Sequence, residues 1–233
     1  MELLLLFIVA FLPPIIYVIW IRNTEKYNRE KWKPIIFCFI WGATIAVAAA
    51  LILEVFLSIS IAVSIEDSNM FTLIAIIIIA PFAEELTKPL ALRLKIIKRE
   101  LSELEDGLVY GAVAGLGFSA TENLFYGSSF MSEGLIVFFV LMILRSFGGC
   151  LLHASATSWT GYGYGKTIMK HTSLIRVLPY FLLAILVHAF YNFLLSFDMK
   201  LGVVTGLFAA FGFVALTIYF VRNKIRTLDQ MND

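Results

Sequence analysis

The sequence predicts an all-α fold, a polytopic membrane helix bundle of about seven transmembrane helices. Composition points there first: 60% of the 233 residues are hydrophobic and 15% are charged, against about 25% charged in an average soluble domain. Mean hydropathy is +0.88. Several apolar stretches exceed the roughly 18–20 residues that cross a bilayer. The third observation is the placement of Lys and Arg, which cluster in alternate loops. A net charge of +1 gives no reason to expect a nucleic-acid partner.

The elements follow in order. The first span covers about residues 2–21. It lacks the basic start of a signal peptide, runs past the usual apolar core and is followed by a basic cluster, so it is expected to be retained, kinked at Pro13-Pro14. The second covers about 34–61 and the third about 70–92, with Pro81 and Pro89 as its bend points. The fourth, about 107–127, carries Gly111, Gly115 and Gly117, small residues that admit a close neighbour. The fifth, about 135–160, continues toward Gly165, and the sixth and seventh cover about 176–197 and 202–221. Neither an internal repeat nor a soluble domain is evident. Residues 1–233 therefore read as one integral-membrane domain, with its chemistry within about 80–195. Cys38 and Cys150 fall inside apolar segments and read as small packing residues.

Orientation follows from charge. Fifteen of the 18 basic residues fall after the first, third and fifth spans or in the tail, and one, Lys200, falls in a loop on the other side. The rule that basic loops stay inside places the amino terminus outside and the carboxyl terminus in the cytoplasm, in the cell membrane. Trp20 and Trp32 flank the first basic loop as interfacial anchors.

Eight ionisable residues then lie inside spans: Glu54, Glu84, Glu85, Lys88, Glu122, Arg145, His153 and His188. Each carries a desolvation cost, so each is a candidate for function. Glu54 falls near the outer interface and has a structural explanation. Glu122 and Arg145 lie on neighbouring spans and read as an ion pair that fastens them; Arg145 cannot shed its charge and needs a partner. Glu84 and Glu85 project about 100° apart on a helix, while Lys88 is within reach of both. One carboxylate can be neutralised by Lys88 while the other faces a cavity. A purely structural pair needs a single glutamate, so this doublet points to proton transfer.

His188 and Asn192 are four apart on the sixth span and share a face. His153 follows SFGGC on the fifth, where small residues let a neighbour approach. His171 reads as a solvated loop residue. A glutamate that moves protons, with histidine and asparagine donors for an oxyanion, suits amide hydrolysis. Two histidines and a glutamate also form a zinc set, but H-E-x-x-H is absent and the donors come from three helices, so no metal is expected. A proton-coupled transporter and a non-catalytic scaffold are the alternatives.

The segments AEELTKPLA (83–91), EDGLVYGAVAGLGFSATENLFY (105–126), RSFGGCLLHASATSWTGYGYGK (145–166) and VHAFYNFLL (187–195) resemble, in order, those of PrsW-type membrane proteases. These belong with the glutamic intramembrane peptidases, together with the CAAX prenyl endopeptidases and bacterial CPBP proteins. The resemblance implies an endopeptidase that acts within or at the edge of the bilayer on a single-pass membrane protein, with an anti-sigma factor as one candidate; no cofactor is expected, with metal dependence left open. It implies that Glu84 is the base, tuned by Glu85 or Lys88. His188 and Asn192 would stabilise the oxyanion, and His153 would orient water or substrate. The family's E-N pair falls on Glu122 and Asn123. Span counting places Glu84, Glu85 and His153 in the cytoplasmic half, His188 near the middle and Glu122 toward the outside. Glu122, with Asn123 and Arg145, is therefore expected to support the site rather than enter it.

Overall fold

The computed structural model describes residues 2–196 and 203–231, which contain helices and turns and no strand. Lys200 and the outer ends of the sixth and seventh spans lie outside the described residues. Seven long helices are present among them: α1 (Glu2–Arg22), α2 (Trp32–Ala62), α3 (Ser68–Arg93), α4 (Leu104–Phe130), α5 (Leu135–Met169), α6 (Leu178–Ser196) and α7 (Val203–Asp229).

Six segments are long and apolar enough to cross a membrane, and α4 is not among them. The reason is its place in the bundle. At 27 residues it is about 40 Å long, ample for a bilayer, but it is the central helix, packed on α5, α1 and α2. From Glu105 to Ala120 every residue is buried. A helix that meets protein instead of lipid has no need of uniform apolarity. The outer helices do: Leu3, Ile52, Ile136 and Phe208 are exposed large apolar side chains, as a lipid-facing surface requires.

Glycines set the closest contacts. Gly107, Gly111 and Gly115 recur every fourth residue along α4. A Cβ on Gly107 or Gly111 would come within 2.6 Å of the backbone oxygen of Gly161 or Thr157, and one on Gly115 would collide with the carbonyl of His153. The stripe thus brings α5 backbone to backbone against α4, and Gly161 of the GYGYG run takes part in it. On the other side of α4, Gly117 meets Phe39 and Gly42 meets Ala114. Because the Gly115 contact falls on the carbonyl of His153, Gly115→Ala is expected to push α5 away. A cost of about 1–3 kcal/mol is the usual scale for overpacking, and a lowered unfolding midpoint in detergent would check it.

Local sequence explains the irregular turns. Asp67 caps α3 by accepting from the backbone N–H groups of Asn69 (2.8 Å) and Met70 (3.1 Å). Glu103 and Asp106 form a reciprocal capping box at the start of α4. Gly134, at φ 104°, supplies the left-handed turn into α5 that a side chain would oppose. The bends expected at Pro81 and Pro89 appear as a π turn at Ala75–Ile79 and a 3₁₀ turn at Lys88–Arg93. Pro13 and Pro14 lie within one continuous helix. Cys38 and Cys150 are buried free thiols.

The basic segments meet at one end of the bundle. Lys31 pairs with Glu100 at 2.8 Å, Asn28 donates to Glu103, Arg222 donates to Thr24, and Asp229 accepts from the N–H groups of Lys26 and Tyr27. The first loop, the third loop and the end of α7 therefore share a face.

Candidate active site

The site forms where α3, α4, α5 and α6 meet. Its hub is the ammonium of Lys88, fully buried. It donates to Glu84 Oε2 at 2.8 Å and to Glu85 Oε1 at 2.8 Å, and lies 2.8 Å from His153 Nδ1. Three N–H donors meet three acceptors, and the charge sits 4.3 Å above the Phe118 ring. Because an ammonium cannot accept, Nδ1 of His153 must. Its proton is then on Nε2, which donates to Glu122 Oε2 at 2.7 Å.

Glu84 and Glu85 differ sharply in surroundings. Glu85 is sealed: Lys88 and His188 Nδ1 (3.0 Å) reach Oε1, and Thr157 donates to Oε2 at 2.8 Å. Glu84 spends only Oε2 on Lys88, and among the described residues its Oε1 has no protein partner. Glu84 also lines a cavity of about 400 Å³, shared with Glu122, Arg145, His153, His188, Tyr191 and Asn192. Most of its remaining wall is apolar, with Leu141, Leu144, Leu207 and Phe211, while Tyr126 and Ser196 add hydroxyl groups.

The Glu122–Arg145 pair forms at 2.9 Å. Arg145 also donates to Asn123 Oδ1 at 2.8 Å and stacks on Tyr126 at 3.8 Å. Glu122, expected to support the site, lies closer to it than span counting suggested: it accepts from the far nitrogen of His153 and lines the cavity. Small errors in span ends shift apparent depth by several ångströms, whereas the glycine contacts fix the register of α4 on α5. Asn123 stays in support, fully buried behind Arg145.

Asn192 has a second duty. Its Nδ2 donates to the carbonyl of Ile76 at 2.9 Å. In the π turn the N–H of Ala80 goes to Ala75, and Pro81 has no N–H to give, so the Ile76 oxygen would otherwise be an orphan in the membrane. One N–H of the Asn192 amide is thereby used and the other remains.

Three residues escaped the sequence reading: Thr157, which anchors Glu85; Tyr191, which lines the cavity; and Phe118, which lies under Lys88. Thr157 is four residues after His153 and Tyr191 three after His188, so helical spacing from the histidines would have found both.

Three carboxyl groups, Glu84, Glu85 and Glu122, thus face two cations, Lys88 and Arg145.

The description matching residues 30–222 is that of the PrsW family intramembrane metalloprotease. The chain belongs to the PrsW family. Protease PrsW of Clostridioides difficile (strain 630) is 26% identical over 203 residues, covering 85% of this chain and 82% of that protein. No solved structure matches the chain. As a PrsW family member with six strongly apolar helices, it is a multi-pass membrane protease.

The family description names a metal. Glu84, Glu85, His153 and His188 each bring a ligand atom within 4.8 Å of the others, and imidazole with carboxylate suits zinc. Three of those four residues, however, are already engaged by Lys88 Nζ at 2.8 Å. A divalent ion among them would share the centre with a buried ammonium, at a large repulsive cost in low dielectric. The arrangement around Lys88 does not fit a metal.

Proposed function

We propose that the chain is a glutamic-type intramembrane endopeptidase in which Glu84 activates a water to cleave a membrane-anchored protein. The observation that carries this reading is the asymmetry of the doublet: Glu84 opens onto the cavity with one oxygen uncommitted, while Glu85 is enclosed.

In this reading Glu84 takes a proton from water as the oxygen attacks the peptide carbonyl, then delivers it to the departing amine. Lys88 holds both members of the doublet in place. Glu85 fixes His188 through Nδ1, and Glu122 fixes His153 through Nε2, so both rings keep a set tautomer and direction. Donors for the oxyanion are the remaining N–H of Asn192 and the Tyr191 hydroxyl, with His188 beside them on the cavity wall. The apolar walls exclude bulk water and strengthen each of these interactions.

The substrate is a single-pass membrane protein, as an apolar cavity within a helix bundle suits. An anti-sigma factor fits that description and follows the family's best-known activity. The amino terminus lies outside and the carboxyl terminus in the cytoplasm of the cell membrane, consistent with the shared basic face.

The test uses purified protein in liposomes with single-pass membrane proteins extracted from host membranes. Cleaved products should form at a rate unchanged by o-phenanthroline. Loss of cleavage in the chelator, restored by Zn²⁺, would contradict the glutamate mechanism. Proton or solute flux without cleavage would replace it with transport.

A further inference from the structure

A second buried cluster lies far from the candidate active site. Asp106 and Glu122 are 16 residues apart on α4, about 24 Å along a helix. At the Asp106 end, Glu25 and Glu30 reach in from the loop between α1 and α2. All three are buried, at 1%, 6% and 2% exposure, and each brings one carboxylate oxygen within 4.8 Å of the other two.

The cluster has no counter-charge of its own. Among the described residues no Lys or Arg nitrogen pairs with any of these three carboxylates. The nearby arginines are spent elsewhere: Arg22 donates to the backbone carbonyl of Glu30 at 2.6 Å and Arg29 to that of Glu25 at 2.8 Å. Protein donors satisfy part of the oxygen set. Glu30 Oε2 accepts from Tyr110, Asp106 Oδ2 accepts from the N–H groups of Ser102 and Glu103, and Glu25 Oε2 accepts from the N–H of Glu30. Glu25 Oε1 is buried with no hydrogen-bond partner. An orphaned carboxyl oxygen on a residue that is 99% enclosed, beside two further buried carboxyl groups, offers a ligand atom to a cation.

We propose that Glu25, Glu30 and Asp106 bind a hard divalent cation of the Ca²⁺, Mg²⁺ or Mn²⁺ class, which ties the α1–α2 loop to the start of α4. The donors are all oxygen, with neither imidazole nor thiolate, which selects that class over zinc or copper. The consequence is structural: α4 carries both the glycine stripe and Glu122, so the ion would hold the amino-terminal end of the helix on which the active-site register depends.

The site is tested with full-length protein in detergent, stripped of ions and titrated with Mn²⁺ by electron paramagnetic resonance. Wild type should bind Mn²⁺ stoichiometrically, displaced by Ca²⁺ or Mg²⁺. Glu25→Gln, which keeps size and removes charge, should weaken binding by more than about tenfold. A Glu84→Gln, Glu85→Gln double variant should bind as wild type does. A proton shared between Glu30 and Asp106 would need no ion, and wild type would then take up no Mn²⁺. That result overturns the proposal whether or not the variants fold. Binding that survives in Glu25→Gln, or disappears in a Glu84, Glu85 double variant that keeps the wild-type unfolding midpoint, also overturns it.

Discussion

Glu84→Gln is expected to slow substrate cleavage by about 10²–10⁴-fold, the usual contribution of a positioned general base, and to leave the bundle folded. The amide is nearly isosteric and can still accept from Lys88, whose ammonium keeps the Glu85 partner at 2.8 Å. What it loses is the ability to take a proton. The measurement is the cleavage rate in liposomes at equal folded protein, judged by an unchanged unfolding midpoint. Glu85→Gln provides a contrast. Glu85 does not line the cavity and serves to hold Lys88, His188 and Thr157, so its loss should show in stability as well as in rate. If Glu84→Gln cleaves at the wild-type rate, Glu84 is not the base.

The second large effect belongs to Lys88→Met. The side chain keeps its length and loses its charge, so two buried carboxylates and one imidazole nitrogen face an apolar group. Removing one partner from a buried ion pair costs about 3–5 kcal/mol, and here a single ammonium serves three acceptors. Lys88→Met is therefore expected to unfold at a markedly lower temperature than wild type and to lose activity. Arginine should not rescue it, because a planar guanidinium cannot take the place of a compact ammonium among three converging acceptors. A wild-type unfolding midpoint in Lys88→Met would show that the ammonium is not the hub.

The architecture was legible in the sequence wherever lipid contact governs composition. The outer helices announced themselves by length and apolarity. The fourth predicted span is not among the six strongly apolar helices, since α4 meets protein on nearly all sides, but its glycine spacing marked the close contact it makes. The doublet with Lys88 was readable because residues three and four apart on a helix must meet. Glu122 was misplaced because depth was counted from span ends, while the true constraint is backbone contact between Gly115 and His153. The bond from Asn192 to Ile76 could not be read from α6 alone. It depends on a π turn that Pro81 imposes on a different helix. Tyr191 and Thr157 were within reach of the same spacing argument that paired His188 with Asn192, but neither is ionisable and so neither stood out.

The most direct test of the central claim is a terminal-peptide survey of host membranes. Wild type is compared with a Glu84→Gln, Glu85→Gln double variant at equal folded abundance. The account predicts new protein ends within or beside transmembrane segments, present with wild type and absent with the variant, and those ends name the substrate. Identical sets of ends in the two membranes, under envelope stress as well as in ordinary growth, would contradict it.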